Sequence, residues 1–224
     1  MTITAVVLDL DDTLAIVERD RPRLLADACE AVGAPAIDRE AYVAVHADHR
    51  TADTREPIFE DLLSALGVNG DVDPSDLATA YRDAIGRHIA PVDGAQRMLD
   101  RLTEEYRLGL LTNGPVHAQG DKLDRLGWGP RFDAVVISGM LEAGKPDSRA
   151  FEAVLDELDV RPDEAVHVGD QVEADVRGAK AAGLSAVQVL YDGGPDPDPD
   201  ADASVDRSSL ADDLPKTVRS LSSN

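Results

Sequence analysis

The sequence predicts an α/β protein: a doubly wound, Rossmann-like parallel sheet carrying an all-helical insertion near its start. Three observations predict it. The run Ala5–Leu8, AVVL, is apolar and nearly continuous, as expected of a strand buried on both faces. Beyond residue 92, strand-length apolar runs alternate with helix-length amphipathic segments, which implies parallel strands joined by helical crossovers. Between residues 15 and 91 the pattern stays helical, far too long for one crossover connection. A chain of 224 residues has room for one core domain and a sizeable insertion.

The elements follow in order. Arg21–Val32 reads as an amphipathic helix, with Pro22 in its first turn and Gly33 at its C-terminal end. Further helices are expected over Arg39–Asp48, residues 56–66 and residues 74–89, the last with Asp73 as N-cap and Pro74 just inside. No strand pattern interrupts this stretch. The division expected is therefore a core from residues 1–14 and 92–224, with a helical domain over residues 15–91. The core resumes at Val92-Asp93-Gly94. A helix over residues 95–105 leads to strand Arg107–Thr112, helix Val116–Leu126 and a strand over 133–137. Helix Ser148–Leu158, strand Ala165–Gly169, a helix over 173–182 and strand Ser185–Leu190 complete the alternation. Residues 192–202, DGGPDPDPDAD, read as a mobile loop, since Gly, Pro and Asp give it nothing to bury. Residues 203–205 and 209–221 are expected as a last short strand and helix.

Composition narrows the function classes. Asp and Glu number 44 against 22 Lys and Arg, a net charge of −22, and the lysines are Lys122, Lys145, Lys180 and Lys216 alone. Heavy Asp with so little Lys is the pattern of a halophilic protein. At 1 M salt the Debye length is only about 3 Å, so the self-repulsion of such a surface is screened. No basic patch could neutralise a run of phosphates, which argues against nucleic acid as a partner. No stretch approaches the ~18 apolar residues of a membrane span, and the N-terminus lacks a basic targeting region. The single cysteine, Cys29, falls in a helical pattern and reads as a small core side chain. A cytoplasmic protein is expected.

The chemistry concentrates at strand ends. Asp9 and Asp11 follow the first strand, and the period of two puts them on one side. Two like charges so placed need a proton or a divalent cation between them; an acidic turn after an edge strand is the plainer alternative. An apolar strand ends in Thr112-Asn113-Gly114. A lysine stands in Gly144-Lys145-Pro146-Asp147. Another apolar strand ends in Gly169-Asp170, with Asp175 five residues on. Ligands of open α/β sheets bind beyond the carboxyl ends of the strands, so Asp9, Thr112 and Asp170 can converge. Asp, Thr, Lys and a closing Asp pair, in this order over nearly the whole chain, resemble the haloacid dehalogenase (HAD) superfamily in its phosphatase branch, phosphoglycolate phosphatase-like members included.

The resemblance implies a role for each residue. Asp9 is the expected nucleophile and a Mg²⁺ ligand. Asp11 is the expected general acid and base, with a pKa tuned near the working pH, and its backbone carbonyl joins the metal shell. The dehalogenase branch lacks an acid there, so Asp11 argues for phosphoryl transfer. Thr112 would donate its hydroxyl to a phosphoryl oxygen, aided by the amides of Asn113 and Gly114 as an anion nest. Lys145 would balance Asp9 and the phosphate. Asp170 would ligate Mg²⁺ directly, and Asp175 would orient a metal-bound water. Gln171 stands where relatives often carry Ser or Asn. Asp12 is expected to face away from Asp9 and Asp11, and Thr13 to brace the loop. Gln119 is a weak pointer to nucleotidase-like and sugar-phosphatase-like relatives. Cys29 and His167 read as structural, and His46 and His49 as solvated residues of the helical insertion.

The function expected is a Mg²⁺-dependent phosphatase hydrolysing a small phosphomonoester through an aspartyl-phosphate, with the helical insertion as a cap over the site. Ile16, Arg19, Arg50 and Arg55 are candidate specificity residues, one of the arginines meeting a substrate carboxylate or second phosphate. The partner expected is a small phosphorylated metabolite, met by a monomer or homodimer. A phosphomutase is the alternative on the same fold, weakened by the lack of lysine in residues 15–91. A dehalogenase is disfavoured by Asp11. A non-catalytic binding protein would be expected to have lost a motif, and none is lost.

Overall fold

The computed structural model describes residues 2–49, 51–68 and 70–222. Its centre is strand β1 (Ala5–Leu8), completely buried. It pairs in parallel with β4 (Arg107–Thr112) on one side and β6 (Ala165–Gly169) on the other. With β5 (Ala134–Ile137), β7 (Ser185–Leu190) and β8 (Ala203–Asp206), they form a six-stranded sheet in the order β5-β4-β1-β6-β7-β8. Each pair of neighbours in this sheet is parallel.

The pleat divides the core in two. Val6 and Leu8, with Leu108, Leu110, Val166 and Val168, point to one face. There they meet Met98, Leu99 and Leu102 of α5 (Ala95–Leu102) and Leu214 and Val218 of α9 (Leu210–Leu221). Ala5 and Val7, with Leu111, point to the other, against Phe151, Val154 and Leu155 of α7 (Ser148–Leu158). This is the period of two in a strand with apolar layers above and below. Each fully buried Leu or Phe side chain contributes about 1.5–3 kcal/mol relative to exposure.

The helical insertion is made of α1 (Arg21–Val32), α2 (Arg39–Asp48), α3 (Glu56–Ala65) and α4 (Pro74–His88). It closes a third apolar cluster of its own around Leu25, Ile58, Phe59, Leu77 and Tyr81. Two caps are those expected, Asp73 accepting from the Ser75 amide and Gly33 ending α1 at φ 70°, and Asp38 adds a third by accepting from the amides of Glu40 and Ala41.

Four expectations are corrected. The insertion is not purely helical: β2 (Ala15–Val17) and β3 (Ile89–Pro91) pair antiparallel at its base, Ala15 with Pro91 and Val17 with Ile89. Three-residue strands are too short to show a period of two, so the ribbon leaves no pattern to read. The helices expected to reach residues 66, 89 and 105 stop at Ala65, His88 and Leu102. The stretch expected as one helix over 173–182 is a π-helical turn, Val172–Arg177, followed by the short α8 (Gly178–Ala181). The acidic loop 192–202 is tethered rather than loose. Gln188 donates to the Asp196 carbonyl at 3.0 Å and accepts from the Asp198 amide at 2.7 Å. Asp202 accepts from Lys180 and from the Ala186 amide, both at 2.8 Å. Among the described residues no helix is long and apolar enough to cross a membrane.

Candidate active site

Asp9 extends the ladder of β1, its amide donating to the Val168 carbonyl at 2.9 Å. The chain then turns sharply: the amides of Leu14 and Ala15 both reach back to the Leu10 carbonyl, and Asp12 takes the left-handed conformation at φ 58°, which Asp tolerates better than most residues. The turn lifts Asp9 and Asp11 above the strand end. Lys145 arrives from the loop before α7 and donates to Asp9 Oδ1 at 2.7 Å and to Asp175 Oδ1 at 2.5 Å. A two-way clip fixes that loop: Asn113 Nδ2 donates to the Lys145 carbonyl at 2.8 Å, and the Lys145 amide donates to Asn113 Oδ1 at 2.9 Å. The clip demands glycine at 144, where a Cβ would lie 2.6 Å from Asn113 Oδ1.

Asp175 is held just as closely. It accepts from the Gln171 amide at 2.9 Å and lies 3.0 Å from His167 Nε2. A Cβ at Gly169 would sit 2.3 Å from its Cγ, so the strand end must be bare for the carboxylate to tuck in. The π-helical turn carries Asp175 back over that strand end. Asp170 accepts from Thr13 Oγ1 and from the Tyr191 hydroxyl, each at 3.3 Å.

Oxygens of Asp9, Asp170 and Asp175 all lie within 4.8 Å of one another, and all three residues are buried. Lys145 is the lysine between them. Burial pushes the Asp9 carboxyl up, against the pull of Lys145. Burial, and then the charges of Asp175 and Asp12, push Asp170 up to about 7. Burial opposes ionisation of Asp175 too, but there Lys145 and His167 prevail and hold it below the ordinary range. The cluster is thus short of positive charge. Its donors are all hard oxygens, which suits a divalent cation such as Mg²⁺. Asp9 and Asp170 have the freer oxygens, whereas those of Asp175 are taken by Lys145, His167 and Gln171.

Asp11 stands apart from that cluster. Its carboxylate takes Lys122 Nζ at 2.7 and 2.5 Å and Gln119 Nε2 at 3.0 Å, with Arg21 at 3.7 Å. Burial would raise its pKa, but Lys122 and then Arg21 hold it well below the usual range. This corrects the expectation of a carboxyl tuned near neutrality: in this state Asp11 is an ionised acceptor. Burial brings Lys122 itself down to about 8, in spite of Asp11. Gln119 Nε2 also donates to Thr112 Oγ1 at 2.7 Å and to the Asn113 carbonyl at 2.8 Å. The Gly114 amide donates to Ser138 Oγ at 2.8 Å, so, contrary to the nest expected, it is committed within the protein. Asp12 is not turned away from the site, because it pairs with Arg21 at 3.2 Å beside Asp11.

Asp9, Asp11, Thr112, Lys122, Lys145 and Asp175 floor a cavity of about 390 Å³, roofed by Arg21, Arg39, Tyr42, Val43, His46, Arg55 and Tyr81 of the helical insertion. Of the specificity candidates, Arg55 reaches this cavity. Arg19 pairs with Asp27 at 3.1 Å instead, Ile16 packs on the main core, and Arg50 lies outside the described residues. His49 pairs with Asp61 at 2.7 Å, and His46 lines the cavity. Cys29 is buried. Sequence reasoning missed Lys122, Arg21, Arg39, Tyr42, Tyr81 and Tyr191. A signal existed for Lys122: it is one of four lysines and stands three residues after Gln119 on α6 (Val116–Leu126), hence on the same helix face.

Comparison with known proteins agrees with this geometry. A family model described as haloacid dehalogenase-like hydrolase matches residues 3–183. Glyceraldehyde 3-phosphate phosphatase of Methanothermobacter thermautotrophicus is 39% identical over 207 residues, covering 84% of this chain and 85% of that protein. The protein of the same name from Methanopyrus kandleri is 32% identical over 196 residues, covering 84% of each. Phosphoserine phosphatase of Thermus thermophilus is 36% identical over 135 residues, 60% of this chain and 54% of that one. Among solved structures, a HAD phosphatase from Thermococcus onnurineus superposes with a TM-score of 0.70 at 25% identity, covering 96% of this chain and 98% of that one.

Proposed function

This chain belongs to the haloacid dehalogenase-like hydrolases, and we propose that it is a Mg²⁺-dependent phosphatase that cleaves a small phosphomonoester through an aspartyl-phosphate. One observation carries the reading: Lys145 joins Asp9 and Asp175 in a buried three-carboxylate cluster at the ends of neighbouring parallel strands. Such a group has the donors to bind a phosphoryl oxygen through a cation, and a carboxylate placed to attack phosphorus.

In this reading Asp9 Oδ attacks phosphorus and the ester P–O bond breaks. The leaving alkoxide takes a proton from Asp11. Water then attacks the aspartyl-phosphate, gives its proton to Asp11, and the Asp9 P–O bond breaks to release phosphate. Asp11 must gain a proton before the first step, so its pairing with Lys122 and Arg21 has to loosen once substrate arrives. Mg²⁺, held by Asp9, Asp170 and the Asp11 carbonyl, would neutralise phosphoryl oxygens. Lys145 shields Asp9 from the incoming anion. Thr112 and Asn113 position the transferred group. The helical insertion, residues 15–91, acts as a cap that excludes water during transfer.

Phosphatase relatives that act on a triose phosphate and on phosphoserine support a small phosphorylated metabolite as substrate. We also read the −22 charge as adaptation to concentrated salt inside a cytoplasm, so the assay belongs in molar KCl. Phosphate release is measured over a panel of phosphometabolites with Mg²⁺, beside Asp9→Asn and an EDTA control. Release that is lost in Asp9→Asn by more than about 10³-fold, and lost with EDTA and restored by Mg²⁺, is the expected result. Full activity in Asp9→Asn refutes the covalent step, and indifference to EDTA refutes the metal.

A further inference from the structure

We propose that the roof of the cavity is a binding site for a second anionic group of the substrate, a carboxylate or a second phosphate, received by Arg39 and Arg55. It rests on the phosphatase reading for the first phosphate, and the roof itself supplies the argument for the second anion.

The cations of the cavity divide into two sets. Lys145 is paired with Asp9 and Asp175, Lys122 with Asp11, and Arg21 with Asp11 and Asp12. Arg39 and Arg55 are different. Among the described residues neither has a carboxylate within 4.0 Å; Arg55 is nonetheless buried, only 8% exposed, and both line the cavity. Their partners are neutral. Arg55 Nε donates to the Tyr42 hydroxyl at 3.0 Å, and Arg39 donates to the Tyr81 hydroxyl at 3.5 Å. Each guanidinium lies over the other's tyrosine, Arg39 at 5.0 Å from the Tyr42 ring and Arg55 at 5.5 Å from that of Tyr81. The two rings meet edge to face at 5.3 Å.

Ring faces and hydroxyls orient a guanidinium but do not neutralise it. A buried charge without a counterion is costly. Acid residues outnumber bases 44 to 22 in this chain, so a carboxylate partner is the cheapest thing for it to supply, and here it supplies none. Two forks held by a rigid aromatic pair, facing the cavity assigned above to the phosphoryl group, are preorganised for bidentate pairing with an oxyanion. Neighbouring Lys122, held down chiefly by burial, also has its protonated form disfavoured by the charges of Arg55 and Arg21. A volume of about 390 Å³ suits a small molecule carrying both anions.

Non-hydrolysable probes separate this site from the reaction. Binding of propylphosphonate, 3-phosphonopropionate and propane-1,3-bisphosphonate is measured by calorimetry with Mg²⁺, on wild type, Arg55→Gln, Arg39→Gln and Arg55→Lys. The expected result is at least tenfold tighter binding of one doubly anionic probe than of propylphosphonate. The carboxylate and bisphosphonate arms tell which second anion is taken. That ratio should collapse in Arg55→Gln, fall in Arg39→Gln and be partly kept in Arg55→Lys. Being a ratio within one preparation, it is not moved by a general loss of folded protein, and half-buried Arg39 gives a second variant. Equal affinities in wild type, no binding of any probe, or a preference that survives both glutamine variants overturns the proposal. A preserved preference in a protein that releases no phosphate from any ester would sink the phosphatase reading and leave the anion site standing.

Discussion

The floor and the roof of the cavity handle charge in opposite ways. On the floor, carboxylates crowd together and each lysine is bound to one or two of them: Lys145 to Asp9 and Asp175, Lys122 to Asp11. On the roof, Arg39 and Arg55 stand against tyrosines, with no carboxylate in reach of either among the described residues. The floor is rigid for a reason visible in its backbone, where glycines at 144 and 169 let side chains lie on bare chain. The roof rests on helices with an apolar cluster of their own. The difference teaches a division of labour: fixed groups at strand ends suit a reaction, and uncompensated charge on a separate helical unit suits selection.

The largest effect expected from breaking this contrast is at Lys145. Lys145→Met leaves Asp9 and Asp175 without their shared cation, and phosphate release should fall about 10²–10³-fold, as when a charged donor is removed from a reacting oxyanion. The loss should appear mainly in kcat/KM for every ester tested; a uniform change of less than threefold would deny Lys145 its role on the floor.

A smaller effect is expected at Lys122. In Lys122→Met, Asp11 keeps Gln119 and Arg21 but loses its strongest partner, so its pKa rises from its depressed position. The limb of the pH–rate profile set by Asp11 should move to higher pH, with kcat reduced about tenfold or more. An unshifted profile would mean that Lys122 does not govern Asp11.

The smallest effect belongs to the surface, where charges are screened. Asp147 caps α7, accepting from the Arg149 amide at 3.1 Å and from its guanidinium at 2.9 Å. Hydrogen bonds from Arg149 hold its pKa at about 2, below the ordinary 3.8. A depressed carboxyl pKa favours the folded state fully above 3.8, and the benefit fades as pH falls through about 2. Asp147→Ala should therefore lower Tm slightly at pH 7, and by less at pH 2. An equal loss at both pH values would show that the charge is not what counts.

Much of this was legible in the sequence, unevenly. The bounds of strands Arg107–Thr112, Ala165–Gly169 and Ser185–Leu190 stand in the sequence to the residue, because burial on both faces writes a continuous apolar run. The floor was legible for a related reason: Asp9, Thr112 and Asp170 stand where such runs end. The π-helical turn was not, since what bends it is the fit of Asp175 against Gly169 and the Gln171 amide, a contact between strand and turn. The roof was hardest. Tyr42 and Tyr81 sit at buried helix positions and read as core, as they partly are. Arg39 opens a helix and reads as solvent-facing. Only their meeting across α2, α3 and α4 makes them a site.

The ribbon of β2 and β3 has a consequence for the architecture as a whole. Where the chain leaves the sheet for the insertion and where it returns, the two strands are hydrogen-bonded partners, Val17 opposite Ile89. Topologically this is the stem of a hairpin whose loop is the entire helical unit. A two-residue turn spans the same gap in ordinary hairpins. Excising the insertion and closing the stem would leave every strand of the six-stranded sheet in its place. The stem, whose ends meet side by side, is therefore the natural point for grafting one roof in exchange for another.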